Sequence, residues 1–283
     1  MMEHGEPLQF GIVTDVHFQT EDPRAAHRDE AYLRHCLEDL GSRGARFLVQ
    51  LGDLIKGTPD HAPEELRQAL CPFKEFNGPI HHVIGNHCLQ LPVAILQPAY
   101  GLRHPWYSFT EGGVLFLVLD GMEVSLLREP ETDEDRAMLE HFRKTPGCQP
   151  WCGAVGSRQK AWLQKELRLA GEQRMPAFVL SHLPLHPATT DERHGILWNH
   201  GDIRDILAAS FAVKACISGH YHPGAYSRES GIHYIVLPAF NTRGTKGDDG
   251  CFMAVLREGQ LIISTSAGTL LHDADLPKRA QQT

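Results

Sequence analysis

The chain has 283 residues, of which 42% are hydrophobic and 22% are charged, and this predicts one large globular domain. A formal net charge of −8 argues against tight binding of long nucleic acid, which depends on Lys and Arg neutralising phosphates. No apolar run reaches the roughly 18 residues that a membrane-spanning helix needs, so no membrane segment is expected.

The cysteines and the first residues bear on the compartment. Seven dispersed cysteines without a CxxC pair are typical of a reduced chain with small buried thiols. The first residues lack the basic stretch followed by an apolar one that marks a secretory signal. We therefore expect a cytoplasmic protein, and the sequence leaves its oligomeric state open.

Strands and helices alternate along the first part of the chain. The spacing of apolar residues predicts helices over 25–40 and 63–76, each with one apolar face. A hairpin is predicted next, with strands over 106–109 and 114–120 that are joined across 111–113. This alternation indicates an α/β fold.

A long polar segment over 121–156, called here the 121–156 segment, interrupts the regular pattern. Segments of this length inside a domain are usually lids, caps or disordered. Ser157 is expected to be the N-cap of a helix that ends near residue 170. Later strands are predicted over 232–238, 252–256 and 261–265. We expect a single domain over 1–270, with the 121–156 segment as an inserted cap or loop, and a polar tail over 271–283.

Five short motifs rich in His and Asp each follow an apolar run that is typical of a buried strand. The motifs are Asp15-x-His17, Gly52-Asp53, Gly85-Asn86-His87, His182 and Gly219-His220-x-His222. The preceding strands are predicted over 10–14, 47–51, 80–84, 178–181 and 213–218. Because the carboxyl ends of such strands meet at one rim of a sheet, these side chains are expected to converge. They predict a site for two divalent cations with the ligands Asp15, His17, Asp53, Asn86, His182, His220 and His222.

The types of ligand indicate which chemistry this site supports. Carboxylate, amide and imidazole ligands suit Mn, Fe or Zn better than Ca or Mg. Asp53 lies in a sharp Gly-Asp turn and is the best candidate to bridge the two cations. Two cations about 3.5–4 Å apart lower the pKa of a bridging water and clamp the oxygens of a displacement at phosphorus. His87, directly after Asn86, is placed to assist the leaving group as a proton donor.

The ordered set of motifs resembles the pattern D-x-H, G-D, G-N-H, H and G-H-x-H of the calcineurin-like metallophosphoesterase superfamily. The resemblance implies a four-layer sandwich of two mixed β-sheets flanked by α-helices, an α/β fold of α+β type. It places His87 at the catalytic histidine position. It also implies two ligand sets that share Asp53. The first set is Asp15, His17, Asp53 and His222, and the second is Asp53, Asn86, His182 and His220.

A finer resemblance involves the segments 181–187, 198–199, 219–226 and 231–233. These are similar to the manganese-dependent ADP-ribose/CDP-alcohol diphosphatase family, whose members hydrolyse the diphosphate link of nucleoside-diphosphate compounds. This implies Mn as the favoured metal, with Fe or Zn as alternatives. One departure is His17, where animal members of that family carry Gln.

The remaining candidates concern the substrate. Trp198 and Asn199 are predicted to line a substrate pocket or else to pack a loop, and His186 to contact phosphate or else to cap a local turn. Lys56 and Arg243 are interpreted as solvated surface.

The function expected from the sequence is a two-metal hydrolase. It would cleave a phosphoanhydride or phosphodiester bond in a small phosphorylated substrate, through attack by a metal-bridging hydroxide, and a nucleoside-diphosphate compound is favoured. The alternatives are a cyclic-nucleotide phosphodiesterase, a phosphomonoesterase, and an interaction module on the same fold without metal chemistry.

Overall fold

The structure, a computed structural model, describes residues 6–244, 250–257 and 259–276. In chain order the strands are β1 (Leu8–Val13), β2 (Leu48–Gln50), β3 (Ile80–His82), β4 (Tyr107–Glu111), β5 (Val114–Leu119), β6 (Val124–Ser125), β7 (Gly153–Ala154), β8 (Ala177–Ser181), β9 (Val213–Ser218), β10 (Ala225–Glu229), β11 (Ile232–Val236), β12 (Cys251–Arg257), β13 (Gln260–Thr265) and β14 (Leu270–Asp275). The α-helices are α1 (Pro23–Ser42), α2 (Ala62–Ala69), α3 (Val93–Ala99), α4 (Asp133–Phe142), α5 (Ser157–Glu172) and α6 (His200–Ala208).

Most strands belong to two six-stranded mixed sheets. The first has the order β14-β13-β12-β1-β2-β3, and the second has the order β10-β11-β9-β8-β5-β4. In the first sheet β1, β2 and β3 are parallel, and β12 is antiparallel to β1. In the second sheet β5, β8, β9 and β11 are parallel, and the edge strands β4 and β10 are antiparallel to their neighbours.

Three apolar clusters define four layers. Between the sheets lies a core that includes stacked and edge-on rings of Phe10, Phe47 and Phe116. The outer face of the first sheet packs against α1, α2 and α3, and the outer face of the second packs against α5 and α6. The expected sandwich of two mixed sheets flanked by helices is therefore confirmed.

Two helices differ at their ends from the sequence-based bounds. The first begins two residues early, at Pro23, because the Asp22 carboxylate accepts a hydrogen bond of 2.9 Å from the Arg24 N–H and caps it. The second stops at Ala69 and gives way to a short 3₁₀ helix over Pro72–Glu75. Pro72 lacks the N–H that would continue the α-helical hydrogen bonding.

The prediction that Ser157 is an N-cap is wrong. The N-cap of α5 is Gly156, and Ser157 is the first helical residue. Its N–H donates instead to Asp135 Oδ1 over 3.0 Å, so a carboxylate from α4 caps the helix. The negative charge also suits the positive end of the helix dipole.

The 121–156 segment has its own secondary structure. It contains α4 and a two-stranded antiparallel sheet of β6 and β7. A buried polar network holds its beginning: Arg128 Nη1 donates to Asp120 Oδ2 over 2.6 Å, and Gln159 Nε2 donates to Glu123 Oε2 over 2.6 Å. The segment is therefore fastened to α5 rather than loose.

The polar tail predicted from residue 271 starts too early. Strand β14 includes residues 271–275 and pairs with β13 along the edge of the first sheet. The rest of the predicted tail, 277–283, lies outside the described residues. Among the described helices none has the length and apolarity needed to cross a membrane, and a cytoplasmic location stays a prediction.

Candidate dimetal centre

The strands bring all five motifs to one rim of the sandwich. Asp15 and His17 follow β1, Asp53 follows β2, and Asn86 with His87 follows β3. From the second sheet, His182 follows β8, and the last motif, with His220 and His222, follows β9. The two sheets meet here through the backbone: after β11 of the second sheet, Asn241 N–H donates to Asp15 O over 3.1 Å and Phe240 N–H donates to Thr14 O over 2.9 Å, both acceptors lying after β1 of the first sheet.

The backbone at this rim is strained in a way that is common at functional sites. Four non-glycine residues have positive φ: Asp15 (52°), His17 (48°), Asp53 (47°) and His220 (66°). Gly52 has a φ of +98°, and a Cβ there would lie 2.4 Å from His182 Nδ1, so only glycine fits.

The first group of candidate ligands, called the first group below, comprises Asp15, His17 and His222, whose possible ligand atoms lie within 4.8 Å of one another. Asp15 Oδ1 lies 3.6 Å from His17 Nε2 and 3.6 Å from His222 Nε2. These atoms are too far apart for hydrogen bonds but are spaced as ligands around a common point.

The second group comprises Asp53, His182 and His220, again within 4.8 Å of one another. His220 Nδ1 lies 3.3 Å from His182 Nε2, and Asn86 Oδ1 lies 3.1 Å from the same nitrogen. The carboxylate and amide oxygens and both imidazole nitrogens therefore face a common point.

Asp53 lies between the two groups. Its Oδ2 is 3.8 Å from His17 Nε2 and 3.2 Å from His182 Nε2. One carboxylate oxygen thus faces both groups, which is the position that the sequence assigned to a bridging ligand.

Hydrogen bonds from the outer side of the rings orient the imidazoles. His182 Nδ1 donates to Leu51 O over 2.9 Å, which leaves its Nε2 free to act as a ligand. His87 Nδ1 donates to Lys56 O over 2.6 Å. A carbonyl only accepts, so each bond determines which ring nitrogen carries the proton.

The residues fit a pair of cations. Asp15 Oδ1 and His17 Nε2 are buried and have no hydrogen-bond partner, although their own motif brings them together. Burial acts to raise the pKa of Asp15, but attraction to His17 and His222 outweighs it and holds the pKa well below its usual range. Buried carboxylates and unpartnered ring nitrogens that face one point are the donor set that a divalent cation satisfies.

The two imidazoles of the second group differ in their pKa values. Burial acts to lower the pKa of His182, but attraction to Asp53 raises it to about 9. Burial lowers the pKa of His220 to about 4, so this ring stays neutral. Because metals bind the neutral imidazole, cation binding at the second group must displace the proton of His182.

His87 lies beside the first group. Its ring centroid is 4.5 Å from that of His17, and the backbone N–H of His87 donates to Asp53 Oδ1 over 2.8 Å. One nitrogen of His87 also lies within 4.8 Å of ligand atoms of His17 and Asp53. Its assignment as a proton donor rather than a ligand stays a prediction.

The calcineurin-like phosphoesterase model matches residues 8–224, which include all five motifs. The chain belongs to this family. Proteins similar to this chain include a manganese-dependent ADP-ribose/CDP-alcohol diphosphatase of Arabidopsis thaliana, 28% identical over 83% of this chain and 86% of the relative. A Danio rerio serine/threonine-protein phosphatase, CPPED1, is 28% identical over 77% of this chain and 67% of the relative. The chain is thus a metal-dependent phosphoesterase.

A solved structure shares this calcineurin-like fold over nearly the whole length. It is a dimetal phosphatase from Danio rerio, with a TM-score of 0.83, 20% identity, and coverage of 97% of this chain and 100% of that chain. At this identity the likeness extends to the fold alone.

A cleft of about 1020 Å³ opens beside the first group of this phosphoesterase, and His17, His87 and His222 are among the residues that line it. Lys56 and Arg243, interpreted from the sequence as solvated surface, both line it. Lys56 Nζ lies 2.6 Å from Glu21 Oε2. The guanidinium of Arg243 pairs with Asp29 and lies over the rings of Tyr32 and Phe240, at 4.8 and 4.3 Å from their centroids.

Sequence reasoning did not single out Asn241, which also lines the cleft. It follows β11, whose strand is parallel to β9, so its carboxyl end reaches the same rim. A strand predicted over 232–238 could have indicated a site residue after its end. No Asp, Glu or His follows that strand directly, so Asn241 was not predicted.

The three predicted substrate residues have other contacts. Trp198 is 8% exposed, and its Nε1 donates to Gln149 O over 3.1 Å. Asn199 forms two hydrogen bonds with the backbone of Val155. His186 Nδ1 accepts from the Ala188 N–H over 3.1 Å and so caps a local turn. Trp198 and Asn199 thus pack the 121–156 segment, and a role for any of the three in substrate binding stays a prediction.

Proposed function

We propose that this phosphoesterase uses two divalent cations, with Mn²⁺ favoured, to cleave the diphosphate link of a nucleoside-diphosphate compound. The observation that carries the proposal is the position of Asp53 Oδ2, which faces His17 Nε2 of one ligand group and His182 Nε2 of the other. Asp15, His17, Asp53 and His222 would hold one cation. Asp53, Asn86, His182 and His220 would hold the second.

The bound cations would supply Lewis acidity and an acidified water at phosphorus. The protein residues then have separate tasks. Asp53 compensates positive charge in the middle of the centre. His87, whose Nδ1–H is held by Lys56 O, presents Nε2 and would hold a proton for the leaving oxygen.

Three observations support a substrate larger than a phosphate group. Relatives named as ADP-ribose/CDP-alcohol diphosphatases cover more than four-fifths of the chain. The cleft volume of about 1020 Å³ exceeds what a phosphate alone would need. Lys56 and Arg243, each paired with a carboxylate of the same lining, would provide hydrogen-bond donors for a second phosphate beyond the one that reacts.

A second candidate is a phosphomonoesterase that acts on phosphoserine or phosphothreonine. The specific observation in its favour is the relative named serine/threonine-protein phosphatase, whose 28% identity equals that of the Arabidopsis thaliana diphosphatase. The two candidates share the metal centre and differ in what the cleft accepts.

A substrate panel with Mn²⁺ tests the proposal. ADP-ribose, CDP-choline, a cyclic nucleotide, p-nitrophenyl phosphate and a phosphoserine peptide are compared by kcat/KM. We expect the two diphosphates to exceed the others by at least about tenfold, a difference of about 1.4 kcal/mol in transition-state stabilisation. A phosphopeptide that is hydrolysed fastest would favour the second candidate and refute the first.

We also propose that the 121–156 segment caps the rim of the centre. Its residue Cys152 is buried, with Sγ 3.9 Å from His220 Nε2. The same part of the segment is bonded to Trp198 and Asn199, as described above. A single domain with this inserted cap accounts for the whole arrangement.

A further inference from the structure

The end of the 121–156 segment lies against the loop that precedes α6. Residues 149–155 are called here the strap. Gln149 Nε2 donates to Glu192 O over 2.6 Å at one end. At the other end Trp198 N–H donates to Gly153 O over 2.7 Å, and Asn199 binds the backbone of Val155. The strap and the loop are therefore joined at both ends.

The carbonyl of His194 is the centre of this contact. It accepts the indole N–H of Trp151 over 2.8 Å and His220 Nε2–H over 2.9 Å. Cys152 Sγ lies 3.6 Å from the same oxygen. A carbonyl has two lone pairs, so the indole and the imidazole together satisfy it.

The bond to His194 O decides how His220 presents itself to the second ligand group. Because the carbonyl can only accept, His220 Nε2 carries the hydrogen, and Nδ1 keeps the lone pair. That Nδ1 lies 3.3 Å from His182 Nε2, on the side of the centre. Partners outside the ligand shell commonly fix a metal-binding imidazole in this way.

Trp151 is an unusual residue for its position. Its side chain is 39% exposed, so burial of the ring does not account for a tryptophan there. Its N–H is used for the His194 carbonyl. The loop and the strap pack too closely for a side chain at residue 195, since a Cβ on Gly195 would lie 2.7 Å from Cys152 Sγ.

We propose that Trp151 is a positioning residue for the second metal. Its indole N–H holds the His194 carbonyl, and the carbonyl holds the His220 ring with Nδ1 toward the cation. The strap thereby couples docking of the 121–156 segment to occupancy of the second ligand group. This inference rests on the proposed two-metal function.

The test is Trp151→Phe, which keeps an aromatic ring and removes the N–H. Mn²⁺ binding to the full chain is measured by titration calorimetry, without substrate. We expect two Mn²⁺ ions with the affinity of one reduced by about 10–100-fold, the usual effect of losing such a partner. In an Asn86→Ala background, which lacks a ligand of the second group only, the affinity of the first group should be unchanged by Trp151→Phe.

Trp106→Phe is the matched control. Trp106 Nε1 has no hydrogen-bond partner among the described residues, and its ring packs 4.9 Å from that of Trp162. This variant loses an indole N–H that donates no hydrogen bond within the described residues, so it should bind both Mn²⁺ ions with the same affinity as the unchanged protein.

Unchanged binding by Trp151→Phe would overturn this inference alone, whereas an unchanged protein that binds fewer than two Mn²⁺ would overturn the proposed function with it. Equal weakening of both sites, with a lower melting temperature of the metal-free protein, would indicate general damage and also refute the inference. If Trp151→Phe does not fold, Gln149→Glu loses the donor to Glu192 O and must weaken the second site selectively.

Discussion

Each carboxylate of the centre uses its two oxygens differently. Asp15 Oδ2 accepts hydrogen bonds from the backbone N–H of His220 over 2.9 Å and from the Thr14 hydroxyl over 2.6 Å, whereas Oδ1 faces the first group. Asp53 Oδ1 accepts the His87 N–H over 2.8 Å, and Oδ2 faces both groups. The hydrogen-bonded oxygen fixes the side chain, so the other oxygen already points toward the proposed cation sites.

Asp53→Asn should weaken binding of both Mn²⁺ ions. The amide keeps the size of the side chain but removes the negative charge that both groups share. Activity and metal content should therefore fall together, which elemental analysis and kcat measurements on the same preparation would check. An Asn variant with two Mn²⁺ per chain and unchanged affinity would contradict the bridging role.

His87→Ala should behave differently. It should keep both Mn²⁺ ions and lower kcat by roughly 10²–10⁴-fold, the usual contribution of a positioned acid or base. Metal content and kcat are measured in parallel with Asp53→Asn. Equal loss of metal by the two variants would mean that His87 is a ligand and that the division of roles is wrong.

At the scale of elements, the beginning of the 121–156 segment depends on a half-buried carboxyl group. Glu123 Oε2 accepts the Gly156 N–H over 2.7 Å at the start of α5. Burial, and after it the charge of Asp120, raises the pKa of Glu123 to about 7. Protonated Glu123 therefore fits this site better than the charged form does.

Glu123→Gln should flatten the dependence of stability on pH. The pKa of Glu123 is higher in the folded state than in the unfolded state. The contribution of this group to the free energy of unfolding is therefore fully present below the unfolded pKa of about 4.5 and is lost as pH rises through about 7. The loss amounts to about 3 kcal/mol at most. Urea unfolding of metal-free protein at several pH values between 5 and 8 measures it.

The control for that experiment is Glu131→Gln. Glu131 also lies near Arg128, at 3.9 Å, but its side chain is 68% exposed. Its removal should leave the pH profile unchanged, and histidines that titrate in the same window are common to all three proteins. Parallel profiles for Glu123→Gln and the unchanged protein would show that the carboxyl group is charged in the fold.

At the scale of the molecule, the centre lies where the two sheets meet, so cations should stabilise the whole fold. Ligands that bind the folded state alone add about 2.7 kcal/mol per site at a concentration one hundred times Kd. Mn²⁺ should therefore raise the melting temperature, and a chelator should lower it and abolish phosphoesterase activity. A protein that melts at the same temperature with and without Mn²⁺ would contradict a centre that joins the sheets.

Much of the architecture was predictable because local pattern encodes it. Apolar runs mark β1, β8 and β9, and each ligand motif follows its strand directly, so convergence at one rim could be expected. The helix N-cap at Gly156 could not be predicted, since Asp135, which accepts the Ser157 N–H, belongs to another helix and Ser157 has the better local pattern.

The sequence by itself predicted the ligand set, because residue type and position at a strand end are local properties, and the family resemblance implied its division into two sets that share Asp53. Only the tertiary structure decided that Oδ2 is the oxygen of Asp53 that faces both groups, and that Lys56 and Arg243 line a cleft. It alone also brought Trp151 to the carbonyl behind His220. These contacts join residues far apart in the chain, and they form only after the sheets and the 121–156 segment have packed.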